Sequence, residues 1–139
     1  MFTIRKITDE NCEDLGTVRN ELYRYNQINN ESASYEPFNF IVYDENEAVI
    51  AGLLSHRFGE AVFLDILWVE EGRRGQGIGR MLLQQLEMSA KESGANLIHL
   101  DTFDFHAPEF YWRHGYVTFG ILENTPLQGN KRYFMKKDI

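Results

Sequence analysis

The 139-residue chain predicts an α/β fold: a single domain on a central mixed, mostly antiparallel sheet of about seven strands flanked by helices. Three observations predict it. Three strand-like segments follow one another between residues 38 and 69, separated only by "DENE" and "FGE", which suit antiparallel hairpins. An amphipathic helical stretch then joins segments 61–69 and 95–103, so these two strands should run parallel through a right-handed crossover. Two more strand-like segments, 116–123 and 132–138, close the chain around the turn-rich "NTPLQGNK".

Taken in order, "FTIRKI" (2–7) alternates like a first strand. Thr8 or Asp9 can cap a helix running to about Gln27, with Leu15, Val18, Leu22 and Tyr25 on one face. "INNESASYEP" (28–37) is polar and turn-rich, and reads as a surface loop with room for a short helix. Strands follow at 38–44, 48–57 and 61–69. A helix from about Gly77 places Ile78, Leu82, Leu86 and Ala90 on one stripe with Leu83 beside it, while Arg80, Gln84, Glu87 and Lys91 fall outside. Gly94 is placed to stop it. After strand 95–103, "APEFYWRHG" (107–115) forms a short helix with Pro108 in its first turn and Gly115 at its end.

Composition narrows the function. At 43% hydrophobic and 14% aromatic, the chain can fill a core. A net charge of −7 argues against nonspecific nucleic-acid binding, which needs a basic footprint. No apolar run approaches the ~20 residues that span a bilayer. The N-terminus lacks a signal-peptide pattern, so a cytoplasmic protein without membrane partners is expected. Cys12 is the only cysteine, which rules out an internal disulfide or a multi-cysteine zinc site. A packing role is expected for it, and no metal.

The most informative stretch is "EEGRRGQGIGRMLLQQLE" (70–87). Gly75, Gly77 and Gly79 bare the backbone at a helix N-terminus, where N–H groups and the helix dipole attract anions. Arg73, Arg74 and Arg80 add positive charge to an otherwise acidic protein. A phosphate or diphosphate is the natural guest. It is not a P-loop, since no Gly-Lys-Ser/Thr occurs. A dinucleotide fingerprint fails too: from Gly75 the sixth position is Arg80, and the strand-ending acid Asp101 does not rescue a chain with one crossover unit.

The segment "VEEGRRGQGIGRMLL" resembles the acetyl-CoA-binding motif of the GCN5-related N-acetyltransferases (GNAT). Their pattern [QR]-x-x-G-x-[GA] falls on Arg74, Gly77 and Gly79. "APEFYWRHGY" resembles the family's later motif through Tyr111, Gly115 and Tyr116, and the segment order matches over nearly the full chain. The stretch from Leu100 to Lys137 is similar to a bacterial subgroup of small acetyltransferases. Many members carry asparagine seven residues before the tyrosine, whereas Asp104 stands here.

The resemblance implies acetyl transfer from acetyl-CoA directly to a primary amine of a small molecule or peptide. It implies cofactor contacts from Leu67, Trp68 and Val69 through the backbone, and from the turn Arg74, Gly75, Gln76, Gly77, Ile78, Gly79 and Arg80. A homodimer is suggested by family habit alone. The chemistry demands that the amine lose a proton, and Asp65 is the first candidate base, with Glu60 and His56 weaker. It also demands a donor for the departing thiolate, and Tyr111 fits by family position, with His106 nearby. Trp68 and Trp112 read as core or cleft-wall residues. Acceptor choice is expected from Tyr23 to Phe38 and from about Glu123 to Tyr133, where Glu31, Glu36 and Glu123 could attract a cation. A domain that senses acyl-CoA without turning it over would need the glycine turn but neither Asp65 nor Tyr111.

Overall fold

A computed structural model describes residues 1–29 and 35–139. They fall into two compact units, one up to residue 34 and one from Tyr35 to Ile139. In the first, helix α1 spans Glu13–Asn29. Asp9 does not cap it directly. Its carboxylate accepts the Asn11 N–H at 3.0 Å and its carbonyl accepts the Cys12 N–H at 3.1 Å, making a turn that delays the helix to Glu13.

Residues 2–7, expected as a strand, take no regular structure. Alternation makes a strand only where a neighbour completes the hydrogen-bond ladder, and no such ladder forms on 2–7 among the described residues. The seventh strand comes from within the expected loop: β1, Tyr35–Pro37, pairs antiparallel with the end of β3. At its other end Ile28 and Asn29 extend α1; residues 30–34 of that loop, with Glu31 and the room for a short helix, lie outside the described residues.

The sheet of the second unit comprises β1, β2 (Phe40–Tyr43), β3 (Val49–Phe58), β4 (Ala61–Val69), β5 (Leu97–Phe103), β6 (Val117–Glu123) and β7 (Lys131–Asp138). Its order is β1-β3-β4-β5-β7-β6, with β2 also on β3. The single parallel pair is β4 with β5, as the crossover requires. Helix α2, Ile78–Glu92, is that crossover, and it buries Leu82, Leu83, Leu86 and Ala90. They pack with Leu53, Val62, Leu64, Ile98, Leu100 and Met135. Each fully buried leucine contributes roughly 1.5–3 kcal/mol. β5 sends Ile98, Leu100 and Thr102 inward in strict alternation. Gly94, at φ +94°, stops α2, and the Ala95 N–H reaches the Ala90 carbonyl at 3.0 Å.

One irregularity interrupts the β3–β4 ladder. On β3, Leu54 faces Ile66 but Ser55 faces Leu64, so Asp65 is an extra residue bulged out of β4. Its apolar neighbours in sequence suggest a buried charge; the bulge exposes it instead.

Candidate active site

The parallel pairing of β4 and β5 runs only from Ala61↔Leu97 to Leu64↔Leu100. Beyond that rung β4 stays on β3 and β5 stays on β7, so the two strands part. A cleft of about 1170 Å³ opens along the parting. Its walls are β4 from Leu64 to Val69, the glycine turn with the start of α2, and helix α3 (Pro108–Arg113) with the 3-10 turn before it. Past Leu64 the β5-facing edge of β4 has no strand partner, which leaves main-chain groups there for a ligand.

The turn between β4 and α2 is built around two positive dihedrals. Gly75 and Gly77 both have φ +82°, and Gly77 is the N-cap of α2. A Cβ on either would meet nothing within 4 Å, so glycine is required by conformation and not by crowding. Gly79 differs: its missing Cβ would sit 3.5 Å from the Phe110 ring, an ordinary contact between α2 and α3. The first N–H of this region to bond back is Met81, to the Gly77 carbonyl at 3.0 Å. The N–H groups of residues 75–80 have no main-chain acceptor among the described residues. Consecutive orphan donors at a helix N-terminus suit an anion.

The three arginines divide their duties. Arg73 pairs with Asp44 at 3.5 Å and Glu70 at 3.6 Å, which ties the turn to the β2–β3 hairpin. Arg74 donates through Nε to the Val69 carbonyl at 3.0 Å, fixing the strand end to the turn. Arg80 lines the cleft with no ion pair among the described residues. The Asp44 carboxyl is held below the usual carboxylate range, first by the Ala48 N–H, then by the Asn46 N–H, and more weakly by Arg73.

Tyr111 and Asp65 both line this cleft, as do Leu67, Trp68, Val69, Arg74, Gly75, Gly77, Ile78, Gly79 and Arg80. Gln76, also expected there, is not among the residues that line it. Tyr111 is 8% exposed. Burial pushes its hydroxyl up to about 12. It therefore stays protonated, a donor, throughout the range in which an amine with a pKa of ~10.4 becomes a nucleophile. Its carbonyl accepts the N–H groups of His114 and Tyr116, each at 3.0 Å.

Other expected residues lie elsewhere. Glu60 bonds Asn96 at 3.1 Å at the start of β4, the end away from the parting. His56 stacks on Tyr35 at 5.2 Å and is not a cleft residue. Asp104 accepts a 3.3 Å bond from Asn130 and does not line the cleft. His106 lines it, edge-on to Phe105 at 4.5 Å. Trp68 is half-exposed on the cleft wall, and Trp112 donates to Thr118 Oγ1 at 2.8 Å. Glu36 pairs with Arg57 at 3.5 Å.

Asp101 has a place in the cleft that sequence reasoning missed. It is the first β5 residue beyond the last parallel rung, level with Asp65 on β4. Arg132 holds it, with Nε at 2.9 Å and Nη2 at 2.8 Å from Oδ1, and the guanidinium lies over the rings of Phe103 and Phe134. The signal available in the sequence was its position at the end of a parallel strand, where open α/β sheets place ligands.

Residues 36–118 match the family model described as "Acetyltransferase (GNAT) domain". A crystal structure of an acetyltransferase from Bacillus cereus aligns with a TM-score of 0.82 at 32% identity, covering 97% of this chain and 98% of that one. The acetyltransferase Atu2258 of Agrobacterium fabrum is 27% identical over 121 residues, 87% of each chain. A blasticidin-S acetyltransferase of Streptomyces morookaense is 35% identical over 83 residues, 59% of this chain and 61% of its own.

Proposed function

Since the chain belongs to the GCN5-related N-acetyltransferase (GNAT) family, and is thus an N-acetyltransferase, we propose that it moves an acetyl group from acetyl-CoA directly to a primary amine of a cationic small molecule in the cytoplasm. One observation carries this reading: the acceptor-free N–H groups of residues 75–80 stand at the mouth of a cleft that follows an unpaired strand edge. The donors suit a diphosphate, and the edge suits an amide-bearing arm. Arg74, Gly75, Gln76, Gly77, Ile78, Gly79 and Arg80 would hold the former, and Leu67, Trp68 and Val69 the latter. Acetyl-CoA supplies the acetyl group as a thioester.

The chain's own residues answer the two proton demands. Making an amine neutral at pH 7 costs roughly 4–5 kcal/mol if its pKa is ~10.4. Asp65, exposed at the cleft, attracts the ammonium and takes its proton directly or through water. Tyr111 holds a proton at its hydroxyl on the far wall, ready to donate to the thiolate as it leaves. Asp101, fixed by Arg132, adds a second carboxylate on the opposite strand. A small cationic acceptor fits Asp65, which has no ion pair among the described residues, and a relative named for blasticidin S supports that choice of class.

The test is calorimetry with acetyl-CoA, followed by CoA-thiol release over an amine panel that includes blasticidin S, polyamines, amino acids and short peptides. Acetyl-CoA binding with thiol release that depends on the amine is expected. Tight binding without amine-dependent release would replace the enzyme reading by an acyl-CoA sensor.

A further inference from the structure

Tyr116 is 2% exposed, and its hydroxyl donates to Glu87 Oε1 at 3.1 Å. Lys137, on β7, reaches the same oxygen at 3.0 Å and lies 5.7 Å over the Tyr116 ring. Glu87 falls outside the apolar stripe of α2, yet its side chain is only 21% exposed and joins three elements. Burial, and then the Glu87 charge, push the Tyr116 hydroxyl far up, so it remains a donor to Glu87 at any working pH.

Tyr116 in turn grips Tyr111 twice. Its N–H donates to the Tyr111 carbonyl at 3.0 Å, and its ring meets the Tyr111 ring edge-on at 5.9 Å and 76°. The tight connection depends on Gly115, whose φ is +91° and whose Cβ would sit 3.2 Å from Lys137 Cε. A side chain at 115 would be strained at this positive φ and would press on the end of Lys137.

We infer that Glu87, Tyr116 and Lys137 form a positioning device that sets the Tyr111 phenol relative to α2, the helix whose N-terminus carries the glycine turn. The inference rests on Tyr111 acting as the donor proposed above. Glu87 lies on the same rigid helix as Gly77, so the anion cradle and the phenol share one reference frame. Without the bond to Glu87, the Tyr116 ring loses its anchor and the Tyr111 ring can tilt within the cleft wall. Misplacing a reacting group by a fraction of an ångström costs turnover more than affinity.

The test is a double-mutant cycle on Tyr116→Phe and Tyr111→Phe. It is read as CoA-thiol release from acetyl-CoA, with water and with the best amine of the panel as acceptors. Tyr116→Phe should lower kcat about fivefold and leave the KM for acetyl-CoA within about twofold. In the Tyr111→Phe background it should do nothing further, because its effect runs through that hydroxyl. Glu87→Gln, which keeps an oxygen for Tyr116, should recover most of what Glu87→Ala loses. Ring-flip rates of Tyr111 by NMR should rise in Tyr116→Phe and Glu87→Ala even where turnover is too slow to measure. Additive losses in the cycle, or unchanged Tyr111 flipping, would overturn the positioning device while leaving the enzyme reading intact. Full activity of Tyr111→Phe itself would overturn the donor role of Tyr111 and the positioning device with it, and would leave the acetyl transfer standing.

Discussion

Gly77→Ala tests the anion cradle most directly. The residue sits at φ +82° and ψ 9°, and an added methyl would meet nothing within 4 Å. Its stability cost is therefore backbone strain alone, about 1–2 kcal/mol for an L-residue in the left-handed region. That corresponds to a fall in Tm of about 3–10 °C for a domain of this size. Gly79→Ala is the control, since its Cβ makes an ordinary 3.5 Å contact with Phe110, and its Tm should change by less. If the N–H groups of 75–80 grip a diphosphate, relaxing φ at residue 77 turns at least one donor away. Losing one hydrogen bond to a charged group is worth about 1.5–3 kcal/mol, so the acetyl-CoA Kd should rise by about ten- to a hundredfold. Calorimetry and thermal unfolding on the same samples separate the two effects. A Kd within twofold of the parent, alongside the expected drop in Tm, would refute the cradle.

Tyr111→Phe should lower kcat by about a hundredfold while the acetyl-CoA KM moves less than threefold, in steady-state thiol release; equal changes in both would point to packing instead. Asp65→Asn should flatten the rise of kcat/KM with pH between 6 and 9, and an unchanged profile would remove it as the base. Asp44→Asn isolates a charge whose folded-state pKa is depressed by backbone donors. A depressed acid stabilises above its unfolded pKa and loses that contribution as pH falls through the folded value. The Tm gap between parent and Asp44→Asn should thus hold steady above about pH 5 and close below about pH 4. A gap independent of pH would show that the hairpin needs the side-chain shape and not its charge.

Much of the glycine turn was legible because it depends on local backbone. Positive dihedrals at Gly75 and Gly77, a helix starting directly after, and the stripe Leu82, Leu86 and Ala90 follow from residue type and spacing alone. The parallel β4–β5 pair follows too, because a single helical crossover of that length allows little else. The strand side of the cleft, with Asp65 and Asp101, was less legible because it is made by register between distant segments. Asp65 reads as a buried charge until pairing with β3 reveals the bulge that exposes it. Asp101 reads as an ordinary strand end until Arg132, some thirty residues on, arrives opposite it. Residues 2–7 and 35–37 exchanged roles because a short segment becomes a strand only by finding a partner. The chain's local chemistry thus determined the shape of the turn and which helix face is buried. Which carboxylates line the cleft, and what packs against Tyr111, was decided by tertiary pairing, since contacts between residues 87, 116 and 137 leave no periodic trace in a linear sequence.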